Sequence, residues 1–91
     1  MAIGNLNFGS YKLATDTGNV CPRSGVLLGF YVGATSSGTL TFYDSATTTT
    51  TKAITGALTP AVGWHSLPVG FTDGLYVVKG GTTISVTFVF A

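Results

Sequence analysis

Residues 75–91 read LYVVKGGTTISVTFVFA. Leu75 and Val77, then Ile84, Val86, Phe88 and Phe90, recur at every second position. A period of two with one apolar face is the pattern of a half-buried β-strand. Gly80 and Gly81 separate the two runs and tolerate the positive φ of a two-residue turn. The spacing predicts a hairpin with Lys79 opposite Thr82, Val77 opposite Ile84 and Leu75 opposite Val86. The other face, Tyr76, Val78, Thr83, Ser85 and Thr87, carries hydroxyls and no charge.

The same alternation runs upstream. In VLLGFYVGA (26–34) the even positions Val26, Leu28, Phe30 and Val32 are expected on the core face, and in GTLTFYD (38–44) Leu40 and Phe42. ATSSG (34–38) reads as a hairpin loop between them, with Gly38 in a left-handed position after a type I turn. The threonine-rich SATTTTTKA (45–53) reads as an extended connection, because β-branched residues favour extended backbone. It leads into a strand with Ile54 and Leu58 on the core side. Phe42 opposite Ile54 places Asp44 opposite Lys52, an exposed ion pair that would set register. A short strand follows at Trp64–Val69, bounded by Pro60, Gly63, Gly70 and Gly74. Pro68 has no N–H and belongs at a strand end or a sheet edge. About seven short strands, regular turns and no helical period make this an all-β chain, a small antiparallel β-sandwich or barrel that is jelly-roll-like.

The sandwich is assigned to residues 26–91 and an N-terminal arm to residues 1–25. Within the arm, Phe8–Ala14 reads as one strand with Tyr11 and Leu13 facing the same way. Ile3, Leu6, Phe8, Tyr11 and Leu13 are too apolar for a solvated tail and are expected to dock on a partner. The competing reading is that the arm supplies a strand to its own domain.

Charged residues make up 8% of the 91 residues and the formal net charge is +1, against about 25% charged in ordinary domains. That excludes the clustered lysine and arginine of a nucleic-acid binder. A neutral, hydroxyl-rich surface is poorly protected against association. It suits a chain covered by other subunits or a module that meets glycans. Disorder is excluded by the 45% hydrophobic content and the regular alternation. The opening MAIGNLNFGSYK shows no basic region followed by an apolar one, so no signal peptide is expected. No apolar run approaches the ~18 residues of a membrane helix.

Catalytic chemistry is not expected. His65 is the sole histidine, and its neighbour Ser66 lies on the opposite face of any strand they share. A half-exposed histidine bonded to backbone is the expected state. One histidine, one cysteine and three scattered aspartates give no metal-ligand spacing, and no cofactor motif is present. Cys21 cannot form an intrachain disulfide and is expected to be a buried free thiol. Trp64, Tyr31, Tyr43 and Tyr76 could stack on sugars, with Trp64 and Tyr76 the candidate surface aromatics; packing in core and interface is the reading preferred.

GWHSLPVGFTDGLYVVKGGTTISVTFVFA (63–91) and SGVLLGFYVGATSSGTLTFYDS (24–45) together resemble small structural proteins of tailed bacteriophages. The resemblance implies a component of the virion, foremost a capsid decoration (cement) protein. It implies as partners other virion proteins, chiefly the major capsid protein, and further copies of the chain in a homo-oligomer such as a trimer. A tail-fibre or other surface module that binds glycans is the alternative. Neither implies an enzyme.

Overall fold

The computed structural model describes residues 10–81 and 84–91. They form seven strands: β1 (Ser10–Ala14), β2 (Gly18–Cys21), β3 (Gly25–Thr35), β4 (Gly38–Asp44), β5 (Gly63–Phe71), β6 (Leu75–Gly81) and β7 (Ile84–Phe90). One sheet has the order β1-β7-β3-β5 and the other β2-β6-β4, with every neighbouring pair antiparallel. Odd-numbered strands thus build one sheet and even-numbered strands the other. Each connection between consecutive strands passes from sheet to sheet.

A jelly roll is a long antiparallel hairpin of eight strands wrapped into a sandwich. Its first strand pairs with the eighth, the second with the seventh, the third with the sixth and the fourth with the fifth. Here β1 pairs with β7, β2 with β6 and β3 with β5. The stretch from Ala53 to Leu58 stands in for the missing fifth strand, bridging β4 at Tyr43–Ala53 and Leu40–Leu58. Between these bridges the ladder is interrupted. The Phe42 amide donates to the Thr55 hydroxyl at 3.3 Å rather than to a carbonyl, a side-chain bond that competes with strand pairing.

The core lies between the sheets. Leu27, Phe30, Val32, Val86 and Phe88 enter from one side and Leu40, Phe42, Leu75 and Val77 from the other. The rings of Phe30, Phe42 and Phe88 meet at its centre, with Phe42 edge-on to Phe88 at 5.8 Å. Burial of each such side chain contributes about 1.5–3 kcal/mol. Ile54 and Leu58 pack against this cluster from the connection, as their positions predict.

The closing run faces as predicted but pairs differently. Leu75, Val77, Ile84, Val86, Phe88 and Phe90 are all buried, yet β6 and β7 lie in opposite sheets. Val77 stands opposite Phe42 and Gly18, Leu75 opposite Asp44, and Lys79 opposite Leu40. Val86 pairs with Val32 and Ala14 instead of Leu75. Gly81 has a φ of 70° but ends β6 opposite Gly38; the expected partner Thr82 lies outside the described residues. The link at 36–37 also joins opposite sheets rather than closing a hairpin. Its positive φ falls on Ser37, at 59°, and not on Gly38. Period two specifies which face is apolar, and two apolar faces are equally well satisfied by meeting across a core.

β3 also departs from strict alternation. Its register slips between Leu27 and Gly29 against both neighbours, and again between Val32 and Ala34 against β7. Against β7 Leu28 is the extra residue, a bulge that reverses the phase of the strand, and against β5 the extra residue lies on β5 at Leu67–Pro68. Before it, Leu27 points inward while Val26 is 42% exposed; after it, Phe30 and Val32 point inward as expected. Leu28 itself is half-buried and outside the core cluster.

Of residues 1–25, those described are built into the sandwich. β1 is an edge strand of the larger sheet and β2 of the smaller, so from Ser10 onward the stretch supplies strands to its own domain. Ile3, Leu6 and Phe8 lie outside the described residues. The expected pairing of Lys52 with Asp44 is replaced. The backbone alignment stands, with the Asp44 amide donating to the Lys52 carbonyl at 2.8 Å. The Lys52 ammonium instead bonds Asp73 at 2.7 Å. Asp44 is occupied elsewhere: its Oδ2 accepts from the Thr72 amide and hydroxyl, and its Oδ1 from the amides of Asp73 and Gly74. One carboxylate thereby fastens the tight corner that carries the chain from β5 to β6.

Candidate functional site

The outward side chains of the four-stranded sheet fall into two rows. Register places Leu13, Thr87, Tyr31 and Trp64 directly opposite one another across all four strands, and Tyr11, Val89, Gly29 and Ser66 in the next row. Tyr11 is 77% exposed, Leu13 62%, Trp64 52% and Tyr31 48%. At about 4.8 Å between strands a row of four spans ~15 Å. Neither row contains a charged residue. A sheet face of this composition offers apolar contact area with a few hydroxyls and no ionic group to desolvate.

Glycines keep the strip flat. A Cβ built on Gly29 would lie 2.5 Å from Cζ2 of Trp64 and 2.5 Å from the His65 carbonyl oxygen. The indole therefore rests over the bare backbone of Gly29. Gly29→Ala is expected to displace the ring and cost about 1–3 kcal/mol, because the His65 carbonyl belongs to the paired backbone and cannot yield without strain. Trp64 is the sole tryptophan, so its fluorescence reports the displacement directly. An unchanged spectrum and melting temperature would show that the ring does not lie there.

The other expected surface aromatic is covered. Tyr76 is only 8% exposed. It lies on the outer side of β6, outside the core cluster, with Tyr43 beside it at 6.2 Å. Asn19, opposite Tyr76 on β2, donates through Nδ2 to the carbonyls of Ser45 and Thr47. These bonds bring the start of the threonine-rich connection against that side of the sheet. Tyr76 is thus separated from Trp64, and the two do not form one platform. Tyr31 and Trp64 do stand together. Of the four aromatics grouped in the sequence as a possible stacking platform, Tyr31 and Trp64 share a row and Tyr43 and Tyr76 lie on the other sheet, because strands far apart in the chain set each row.

His65 is half-buried on the inward side of β5, stacked on Phe30 at 5.1 Å, and its Nε2 donates to the Ala61 carbonyl at 2.7 Å. Ser66 occupies the opposite face, and Asp73 is paired with Lys52. The Cys21 thiol is buried and donates to the Arg23 carbonyl at 3.5 Å. Among the described residues no three of histidine, cysteine, aspartate and glutamate gather at metal-binding distance.

A polar groove of about 490 Å³ is lined by Arg23, Asp44, Thr47, Thr49, Lys52 and Asp73. Its carboxylates serve the fold. The Thr72 amide does most to hold the Asp44 carboxyl down, to about 2; partial desolvation opposes this, and the amides of Asp73 and Gly74 and the Thr72 hydroxyl reinforce it. The hydrogen bond that Lys52 donates to Asp73, aided by the carboxylate charge, raises the pKa of Lys52. A second groove, about 290 Å³, runs beside His65 between Phe30, Leu58, Pro60 and Leu67.

Of the uncharged outer strip, Tyr11, Leu13, Tyr31 and Trp64 are exposed. No protein-family model matches the chain, and neither a curated protein nor a solved structure matches it at a significant level.

Proposed function

We propose that this chain is a structural protein of a phage virion, a capsid decoration (cement) protein that stabilises the assembled head through protein–protein contacts. Its partners are the major capsid protein and further copies of itself, without cofactor or catalysis. The observation that carries the reading is the outer strip Leu13–Thr87–Tyr31–Trp64. Exposed aromatic and aliphatic residues in one uncharged row, interrupted only by the hydroxyl of Thr87, are the composition of a buried interface centre, where charge is depleted and tryptophan and tyrosine are enriched. The resemblance of residues 24–45 and 63–91 to small virion proteins supports the same reading. The mechanism is mass action: a protein that binds only the assembled shell stabilises it by RT ln(1 + [L]/Kd) at each site.

A second reading, a glycan-binding module on a tail fibre or other virion surface, draws on one specific observation. Tyr31 and Trp64 are adjacent exposed rings with the hydroxyls of Thr87 and Ser66 in the same two rows, an arrangement onto which a sugar ring can stack.

Mixing the purified chain with empty heads that lack it separates the two. The decoration reading expects co-sedimentation with the heads and a higher temperature of head disruption. Trp64→Ser and Tyr31→Ser should each weaken that binding by about 30-fold, as for an aromatic at an interface centre. Failure to bind heads, or head binding indifferent to both substitutions, would overturn it. Binding to soluble oligosaccharides in place of heads would favour the second reading.

A further inference from the structure

The two sheets have four edges, and three are blunted. β5 carries Pro68, which has no N–H, and its register with β3 slips by one residue at Leu67–Pro68. The open side of β4 is bridged by the stretch from Ala53 to Leu58. β2 has four residues and a slip between Asn19 and Cys21. These are the devices by which natural sheets avoid edge-to-edge pairing.

β1 has no proline, slip or bridge, and its one charge, Lys12, is turned back to the Asn19 carbonyl of its own protomer. Its five residues pair with β7 without interruption, from Ser10 with Phe90 to Ala14 with Val86. It contains no proline, glycine or bulge. Among the described residues no strand pairs with its outer side. It therefore presents a regular row of backbone donors and acceptors that another strand can complete, flanked by the exposed Tyr11 and Leu13.

We infer that β1 pairs with β1 of a second copy of this chain, antiparallel about a two-fold axis at Lys12, so that two four-stranded sheets become one continuous sheet. Three observations select this partner and register. With the axis at Lys12 all five residues are used, and Tyr11 faces the partner's Leu13 while Leu13 faces the partner's Tyr11. Aromatic–aliphatic pairs directly across two strands are stabilising. The like charges brought together at the axis are drawn apart, because the Lys12 ammonium turns back to the Asn19 carbonyl of its own protomer at 2.8 Å. The outer strip, which ends at Leu13, also continues across the axis. A two-fold contact consumes the same edge on both copies and closes. The blunted edges then prevent growth into a fibre. The inference specifies the self-association of the virion reading but rests on the sheet edge alone.

Sedimentation equilibrium of the full chain, from micromolar to millimolar concentration, should show a monomer–dimer equilibrium. Lys12→Cys should form a disulfide-linked dimer under mild oxidation, since residues at the axis lie within disulfide reach of each other. Ser66→Cys, on the blunted far edge, should not. Leu13→Asp, at an exposed position, should retain the β circular-dichroism spectrum yet weaken the dimer by about tenfold or more. A monomer at every concentration would leave the edge to the chain's first nine residues or to another protein, and overturns the inference. A trimer, or crosslinking of Lys12→Cys no faster than Ser66→Cys, overturns it as well. Head binding by a monomeric chain would sink the dimer and spare the virion role; a dimer indifferent to heads would do the reverse.

Discussion

Phe88→Ala is expected to lower folding stability by about 3–5 kcal/mol, the cost of removing a buried aromatic and leaving a cavity. Phe88 is 1% exposed. It lies on β7, which is flanked by β1 and β3, and its ring touches both Phe30 and Phe42. Neighbours held by two sheets cannot collapse freely into the vacated volume. Small domains unfold with about 5–15 kcal/mol in total, so the substitution removes much of the margin. Urea unfolding should show a markedly lower midpoint with a similar slope, and Phe88→Leu a smaller loss. An unchanged midpoint would place the residue outside the core.

Asp44→Asn is expected to cost about 2–3 kcal/mol, because the corner between β5 and β6 loses charge-assisted hydrogen bonds. An amide offers one acceptor oxygen where the carboxylate offers two, and its NH2 group meets backbone donors. The same bonds give the folded protein an acid dependence. The Asp44 carboxyl sits at about 2 in the folded chain, below its ordinary 3.8. The stabilisation is therefore complete above about pH 4 and is lost as pH falls from there through 2. Melting temperatures of the parent chain should decline across that window. Those of Asp44→Asn should decline less, and parallel curves would show that another group governs the acid response.

Much of the architecture was legible because alternation is a local signal. The inward places of Leu40, Phe42, Leu75, Val77 and Phe88 follow from period two. So does the shared face of Tyr11 and Leu13, and the missing N–H of Pro68 fits its place on an edge strand. Pairing was less legible, because alternation carries no address. Leu75 and Val86 share an inward face equally well as neighbours in one hairpin or as opposite walls of a core. The Leu28 bulge was hidden for a related reason. VLL supplies apolar residues in both phases, and only the neighbouring strands select Leu27 over Val26 and Leu28. Asp44 looked like a salt-bridge partner because Lys52 lies opposite in register. The three amides of the 72–74 corner, brought near only by folding, are the better donors. The strip joining Leu13 to Trp64 was beyond local reading, since it is assembled from strands at both ends of the chain.

The alternation of consecutive strands between the sheets has a consequence for how the chain acquires its shape. None of the seven strands forms its ladder with its immediate successor, and the one local pairing, of β4 with the stretch from Ala53 to Leu58, is an interrupted pair of bridges. Every ladder must close a loop through at least one intervening strand, and that entropy is lost before any pairing is gained. β7 makes the point sharpest, because it separates β1 from β3 in the larger sheet and is synthesised after all the others. Until Ile84–Phe90 has left the ribosome, β1 has no neighbour and β3 lacks one of its two. Folding should therefore be slow and all-or-none, with apolar strands exposed during the wait.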